Sequence, residues 1–241
     1  GAGGQAIFTD MALALFSVFR VALYISYRDY FSQLPTGQTL WAFVHGVRFD
    51  AAIIAIFFII PILLLNFPLR IAASRLWQQP LAWILWAMTL AMGVVLAVDL
   101  VYFGYVNRHI ATELLTVGHD MGAMLHIAFT SYAGAVLAYV ALGALFTVLW
   151  WRSAMRDTAP ASKGAMLFAA LFIGLVLTGR GWTLYGKPVN IVHAFTSGST
   201  AAGNLTLNGL FSAVHASRST HAVEHRFFAP GAARRLVAEE Y

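Results

Sequence analysis

Long apolar runs, broken at wide intervals by single charges, organise this chain. A helix that crosses a bilayer needs roughly 20 mostly apolar residues. Five stretches meet that requirement: 7–27, 41–65, 80–104, 129–151 and 164–184. The first, IFTDMALALFSVFRVALYISY, carries Asp10 and Arg20 within it. The second opens on FVHGVRFD and continues as AAIIAIFFIIPILLL, which has no charge at all. Between the third and fourth, NRHIATELLTVGHDMGAMLHIA is too polar to span and predicts one or two helices lying near the interface. After 184 the pattern changes, with Gly, Ser and Thr early and mixed polarity later. There Leu205, Leu207, Leu210, Phe211 and Val214 fall into an apolar stripe, expected to rest on the outer leaflet as part of a juxtamembrane helix over 203–217. The last residues, AARRLVAEEY, predict a helix starting after Pro230 and Gly231. The expected fold class is all-α: a polytopic membrane protein of five transmembrane helices with interfacial and juxtamembrane helices. Residues 1–186 make the membrane domain and 187–241 an extracytoplasmic segment.

Composition strengthens the membrane reading. The chain is 60% hydrophobic and 10% charged, with a mean hydropathy of +0.73. A soluble domain carries about 25% charged residues, so this chain has too little charge to cover a soluble surface. Its net charge of +5 therefore speaks to loop orientation and anionic lipid rather than to nucleic acid. The absence of cysteine excludes disulfides, thiolate metal sites and Cys nucleophiles. The opening GAGG is expected to be a processing remnant, and the long first apolar segment lacks the small-residue cleavage site of a signal peptide.

The loops set an orientation. Arg70 and Arg75 in 66–79, and Arg152, Arg156 and Lys163 against Asp157 in 152–163, fall on one side if all five stretches span. The positive-inside rule makes that side cytoplasmic, so the N-terminus is expected inside and the segment after 185 outside. Trp77, Trp150 and Trp151 then mark the inner boundary, and Trp41, Tyr102, Tyr105, Trp182 and Tyr185 the outer one.

With that orientation, Arg20, Arg48, Asp50, Asp99 and Arg180 share one level in the outer half of the membrane. Each charge inside a span costs about 2.5–3.5 kcal/mol on insertion scales. One reading is that interhelical pairs of Arg and Asp offset the cost and lock the bundle. The other is a polar pocket for an anionic lipid headgroup. Its residues would be Arg20, His45, Arg48, Asp50, Asp99 and Arg180, with one cation in excess and Arg well shaped for phosphate. Arg48 and Asp50, two apart on a helix, point to different faces and are expected to find different partners, whereas His45 shares a face with Arg48. Gly46 leaves room for a close approach beside Asp50. His109 and Glu113, spaced for a shared metal with His119, Asp120 or His126 nearby, read more simply as polar positions on an interfacial helix. His193, His215, His221 and His225 have no ligand spacing, and Asn204-Leu205-Thr206 is a short sequon of a kind that arises by chance.

HGVRFD at the head of the second span, DLVYFGYVNRHIATEL closing the third and LNGLFSAVHA after the last together resemble the membrane domain of lipoteichoic acid synthase-like phosphoglycerol transferases. The likeness covers nearly the whole chain, and its G-x-RFD and D-x-x-YF motifs include Arg48, Asp50 and Asp99. The resemblance implies a bacterial plasma (inner) membrane protein with an extracytoplasmic, sulfatase-like catalytic domain following this one. That domain would hold manganese or another divalent metal and a threonine nucleophile, and no residue of this chain takes those roles. The donor would be phosphatidylglycerol and the acceptor a polymer or glycan. Competing readings are a phosphoethanolamine transferase with a similar architecture, a small channel or transporter subunit, and a purely structural anchor.

Overall fold

The computed structural model describes residues 2–113, 126, 128–154 and 165–219. Among them every regular element is a helix. Without water to satisfy a free backbone, a lone apolar chain segment in lipid must bond to itself, and the helix does so.

In chain order the α-helices are α1 (Ala2–Ser26), α2 (Arg28–Phe31), α3 (Thr36–Leu65), α4 (Arg75–Val106), α5 (Ala133–Ala154), α6 (Ala165–Gly179), α7 (Thr200–Thr206) and α8 (Gly209–Ser219), with short 3-10 turns at Arg70–Ala73 and Ile191–Phe195. Four are long and apolar enough to cross a membrane: Phe8–Ser26 of α1, all of α3 and α4, and Ala133–Arg152 of α5. Over the fifth expected span the described helix is α6, 15 apolar residues that start at Ala165, directly after residues outside the described set. Its end is a defined stop: Trp182 N–H donates to the Leu177 carbonyl at 2.9 Å and Gly181 N–H to Thr178 at 2.8 Å. Gly181 supplies the left-handed φ of +72° that this Schellman closure needs.

Helices α1, α3 and α4 pack on one another, α5 lies against α1 and α4, and α6 lies against α3. The shared core contains Phe16, Phe49, Ile53, Phe58, Leu85 and Trp150, all essentially inaccessible. A second cluster, in which Tyr24, Tyr27, Tyr30, Phe31, Phe43 and Phe103 pack with aliphatic residues such as Leu23 and Leu205, lies at the end where α2 turns the chain from α1 to α3.

The juxtamembrane region departs from expectation. It is two helices, α7 and α8, broken at Leu207 and Asn208. The apolar stripe is used inside the protein: Leu205, Leu207, Leu210 and Phe211 are 0–6% exposed. Both helices lie against α3, with α7 also touching α1 and α8 touching α4. The aromatic belt positions are largely free, with Trp41, Tyr105, Trp151, Trp182 and Tyr185 all more than half exposed. The interfacial helices expected before residue 128 fall largely outside the described residues. So do Arg156, Asp157, Lys163, His119, Asp120, His221, His225 and the helix after Pro230.

Candidate functional site

The charges that the sequence places at one level fall into two groups. The inner group joins three spanning helices to the α7–α8 turn. Arg20 of α1 reaches Asp50 of α3, with Nη2 donating to both carboxylate oxygens at 2.6 and 2.7 Å. Its Nη1 donates to the carbonyls of Leu205, Thr206 (2.7 Å) and Leu207 (3.3 Å). Those carbonyls close α7, so the guanidinium satisfies acceptors that a helix end leaves open and meets the negative end of its dipole. Asp50 also accepts from Asn208 Nδ2 at 2.7 Å. Asn208 in turn accepts from Phe211 N–H at 2.7 Å, capping the first turn of α8.

Asp99 of α4 completes the group. One oxygen accepts from Ile110 N–H at 2.8 Å and the other from His109 Nδ1 at 2.7 Å. His109 Nε2 donates to the Asn204 carbonyl at 2.7 Å. Both ring nitrogens face pure acceptors, so both carry protons and His109 is an imidazolium. Burial alone pulls the His109 pKa down. The Asp99 carboxylate, by charge and hydrogen bond, and the Asn204 carbonyl overcome it, and the net shift is upward. Asn204 fixes α7 a second way, its amide donating to Tyr30 Oη at 2.8 Å and to the Asn107 carbonyl at 3.0 Å. The sequon's asparagine is therefore buried and engaged rather than free for a glycan.

Two cations and two carboxylates balance in this group, and Arg20, Asp50, Asp99 and His109 are all 1–6% exposed. Small residues make the space. A Cβ at Gly46 would collide with the Arg20 guanidinium, and one at Gly209 with the Asp99 carboxyl group.

The outer group is Arg48, His45 and Arg180. Arg48 turns away from Asp50 and donates through Nε to the Gly181 carbonyl at 2.6 Å, gripping the turn that ends α6. Its Nη1 sits 3.4 Å from His45 Nε2, and His45 stacks on Trp41 with ring centroids 5.6 Å apart. Arg180 donates to the carbonyls of Gly186 (2.7 Å) and Thr183 (3.3 Å). Among the described residues neither Arg48 nor Arg180 joins an ion pair. Of this group His45 alone lines a cleft of about 150 Å3 between the start of α3 and the 194–206 region, together with Gln38, Trp41, Thr196 and Ser197 among others.

The six sequence-derived site residues are thus divided. Arg20, Asp50 and Asp99 are brought together, and their polar atoms are turned inward to protein partners. His45, Arg48 and Arg180 stand at the margin of the bundle. His109 and Glu113 have separate partners: His109 meets Asp99 and Asn204, whereas Glu113 bonds Arg108 at 2.5 Å. That contact holds the Glu113 carboxyl at a pKa of about 2. Among the described residues no three His, Asp or Glu side chains gather as a metal site requires. His193 bonds the backbone of Asn190, and His215 donates to the Asn190 side chain at 2.6 Å.

Sequence reasoning missed His109, Asn204 and Asn208 as members of the inner group. A signal existed for Asn208, because Asn immediately before Gly and an apolar run is a helix-start signature. Nothing local marked His109, whose partners lie in α4 and α7. Comparison with family models, curated protein sequences and solved structures finds no match to this chain.

Proposed function

We propose that this chain is the membrane domain of a phosphoglycerol transferase of the lipoteichoic acid synthase-like kind. In this reading it holds an extracytoplasmic catalytic domain against the membrane and presents the headgroup of outer-leaflet phosphatidylglycerol to it. The N-terminus lies in the cytoplasm, α6 completes a fifth crossing, and the membrane is the bacterial plasma (inner) membrane. The transfer chemistry, with its threonine nucleophile and divalent metal, belongs to the catalytic domain, as does the polymer or glycan acceptor.

The observation that carries this reading is the double fixing of the α7–α8 turn. Arg20 and His109 hold backbone carbonyls of α7, packed against the bundle, while Asp50 holds Asn208. Such a mount fits a domain whose task is to fix the height and orientation of another over the lipid surface. The headgroup position narrows to the outer group. Arg48 is half-buried, is free of carboxylates among the described residues, and touches His45, which with Gln38, Trp41, Thr196 and Ser197 lines a cleft suited to a small hydroxylated anion.

The test is turnover by the full-length protein on two donors. Arg48→Ala is expected to reduce transfer from phosphatidylglycerol vesicles at least about tenfold, the loss of one charge-assisted contact. It is expected to leave cleavage of a soluble glycerophosphate ester unchanged. Equal loss on both donors, or loss on neither, removes the headgroup site. A preference for phosphatidylethanolamine over phosphatidylglycerol in the same assay favours the phosphoethanolamine reading instead.

A second reading has its own support. Arg20, Asp50 and Asp99 all bond to protein partners, as in a purely structural anchor. In that case Arg48→Ala lowers thermal stability and leaves lipid selectivity untouched.

A further inference from the structure

Gln38, Trp41 and His45 stand at i, i+3 and i+7 on α3, so a single face of that helix brings all three to one wall of the outer cleft. Thr196 and Ser197, just past the second 3-10 turn, and Thr206 of α7 line it too. The remaining lining residues are glycine and alanine, whose short side chains leave the space open. The volume is about 150 Å3. Pockets for drug-sized ligands begin at about 300 Å3, so the occupant here is a group of a few heavy atoms.

The lining rules out several guests. It contains no Asp, Glu, Lys or Arg, so neither a phosphate nor an ammonium group meets an opposite charge inside it. It contains no Leu, Ile, Val, Phe or Met, so an acyl chain has little to pack on. What it offers is hydrogen bonding of both kinds. Gln38 carries an amide donor and an acceptor, Trp41 an indole N–H and Ser197 a hydroxyl, and none of these groups is hydrogen-bonded to another described residue. Thr196 and Thr206 give their protons to the His193 and Ala202 carbonyls at 3.3 and 2.9 Å, and their oxygens keep lone pairs to accept with. His45 Nε2 faces the Arg48 guanidinium, a pure donor, at 3.4 Å. Nε2 is therefore the acceptor, the ring is neutral and Nδ1 carries the proton. A charged amine only donates and a phosphate dianion only accepts. A hydroxyl does both, and several on a short carbon chain match this uncharged, mixed set.

We propose that the cleft is a subsite for a small neutral polyol of about the size of glycerol, recognised by Gln38, His45 and Ser197. Its chemistry follows from the lining alone. That the polyol is the terminal glycerol of an anionic lipid, with its phosphate against Arg48, rests on the proposed transferase reading. In that case the cleft adds a discrimination that Arg48 lacks. A guanidinium grips any phosphate, whereas only a hydroxylated group attached to it fills the cleft.

The test uses the full chain, labelled with fluorotryptophan, in phosphatidylcholine nanodiscs. The Trp41 fluorine signal is assigned by its loss in Trp41→Phe, a mild change at a position that is 60% exposed. Phosphatidylglycerol is expected to shift this signal saturably. Phosphatidic acid, which has the phosphate without the glycerol, and phosphatidylethanolamine are expected to leave it in place. Ser197→Ala and Gln38→Ala should each weaken the apparent affinity for phosphatidylglycerol about two- to tenfold, the worth of one neutral hydrogen bond. Free glycerol in the same nanodiscs separates the sources. A saturable shift with glycerol and none with phosphatidylglycerol supports the polyol subsite and removes the lipid headgroup as its occupant. No saturable shift with either, an equal shift with phosphatidic acid or phosphatidylethanolamine, or an affinity unchanged in both variants overturns the proposal.

Discussion

Arg48 and Asp50 stand two residues apart on α3 and inhabit different worlds. Two residues on an α-helix are about 200° apart around its axis. Asp50 therefore faces α1 and the α7–α8 turn, where it is 1% exposed and bonded to Arg20 and Asn208. Arg48 faces the end of α6, half-buried, and holds a backbone carbonyl. The inner group answers burial by neutralising every charge. The outer group keeps its charge and gives its donors to backbone carbonyls rather than to carboxylates. Equal depth along a helix thus does not mean equal role, because direction around the axis decides what a charge can meet.

Substitutions can break this contrast. The largest effect is expected at Asp50. Asp50→Ala strands the Arg20 charge in the core and should cost about 3–5 kcal/mol, measured as loss of thermal stability in nanodiscs, with faster proteolysis at 200–219. Gly46→Ala should cost about 1–3 kcal/mol by forcing the Arg20 guanidinium out of place. It should do so without removing any hydrogen-bonding group, which separates crowding from charge. The third effect is smaller and reversible. His109 gains its proton affinity from the fold, so its contribution is full below about pH 6.5, the ordinary imidazole value, and disappears as pH rises through the higher folded-state value. Thermal melts should therefore decline with pH on the alkaline side, and His109→Gln should flatten that slope. Last, Arg48→Ala should cost only about 0.5–1.5 kcal/mol, the worth of an ordinary hydrogen bond. A cost at Arg48 equal to that at Asp50 would erase the distinction between the two groups.

Much of this was legible in the sequence, for a physical reason. Apolar length alone reports a membrane helix, and α1, α3, α4 and α5 followed from it. The count of charges at one depth pointed to the inner group, and the two-residue spacing separated Arg48 from Asp50. The amphipathic stripe of 205–214 misled because an apolar face looks the same whether lipid or protein covers it. The broken helix at Asn208 lay in a capping side chain, which sequence reading passed over in favour of the stripe. His109 was out of reach, since a lone histidine beside polar residues carries no mark of the Asp99 carboxylate behind it or of the Asn204 carbonyl that a fold must bring there. Hydropathy extends the fifth span to residue 184, whereas the left-handed turn at Gly181 ends α6 at Gly179.

The way Arg20 holds α7 has a consequence for how this region can change. Its contacts are with the carbonyls of residues 205 to 207, a feature that every amino acid presents alike. The grip is therefore blind to side-chain identity there and sensitive to the path of the backbone. Side chains at 205 to 207 can vary within the limits of the apolar space they fill while the junction keeps its angle. An inserted or deleted residue between Asn204 and Gly209 would shift the carbonyls out of reach and swing everything beyond them. Tolerance to substitution joined to intolerance of length change is the mutational signature this junction should carry.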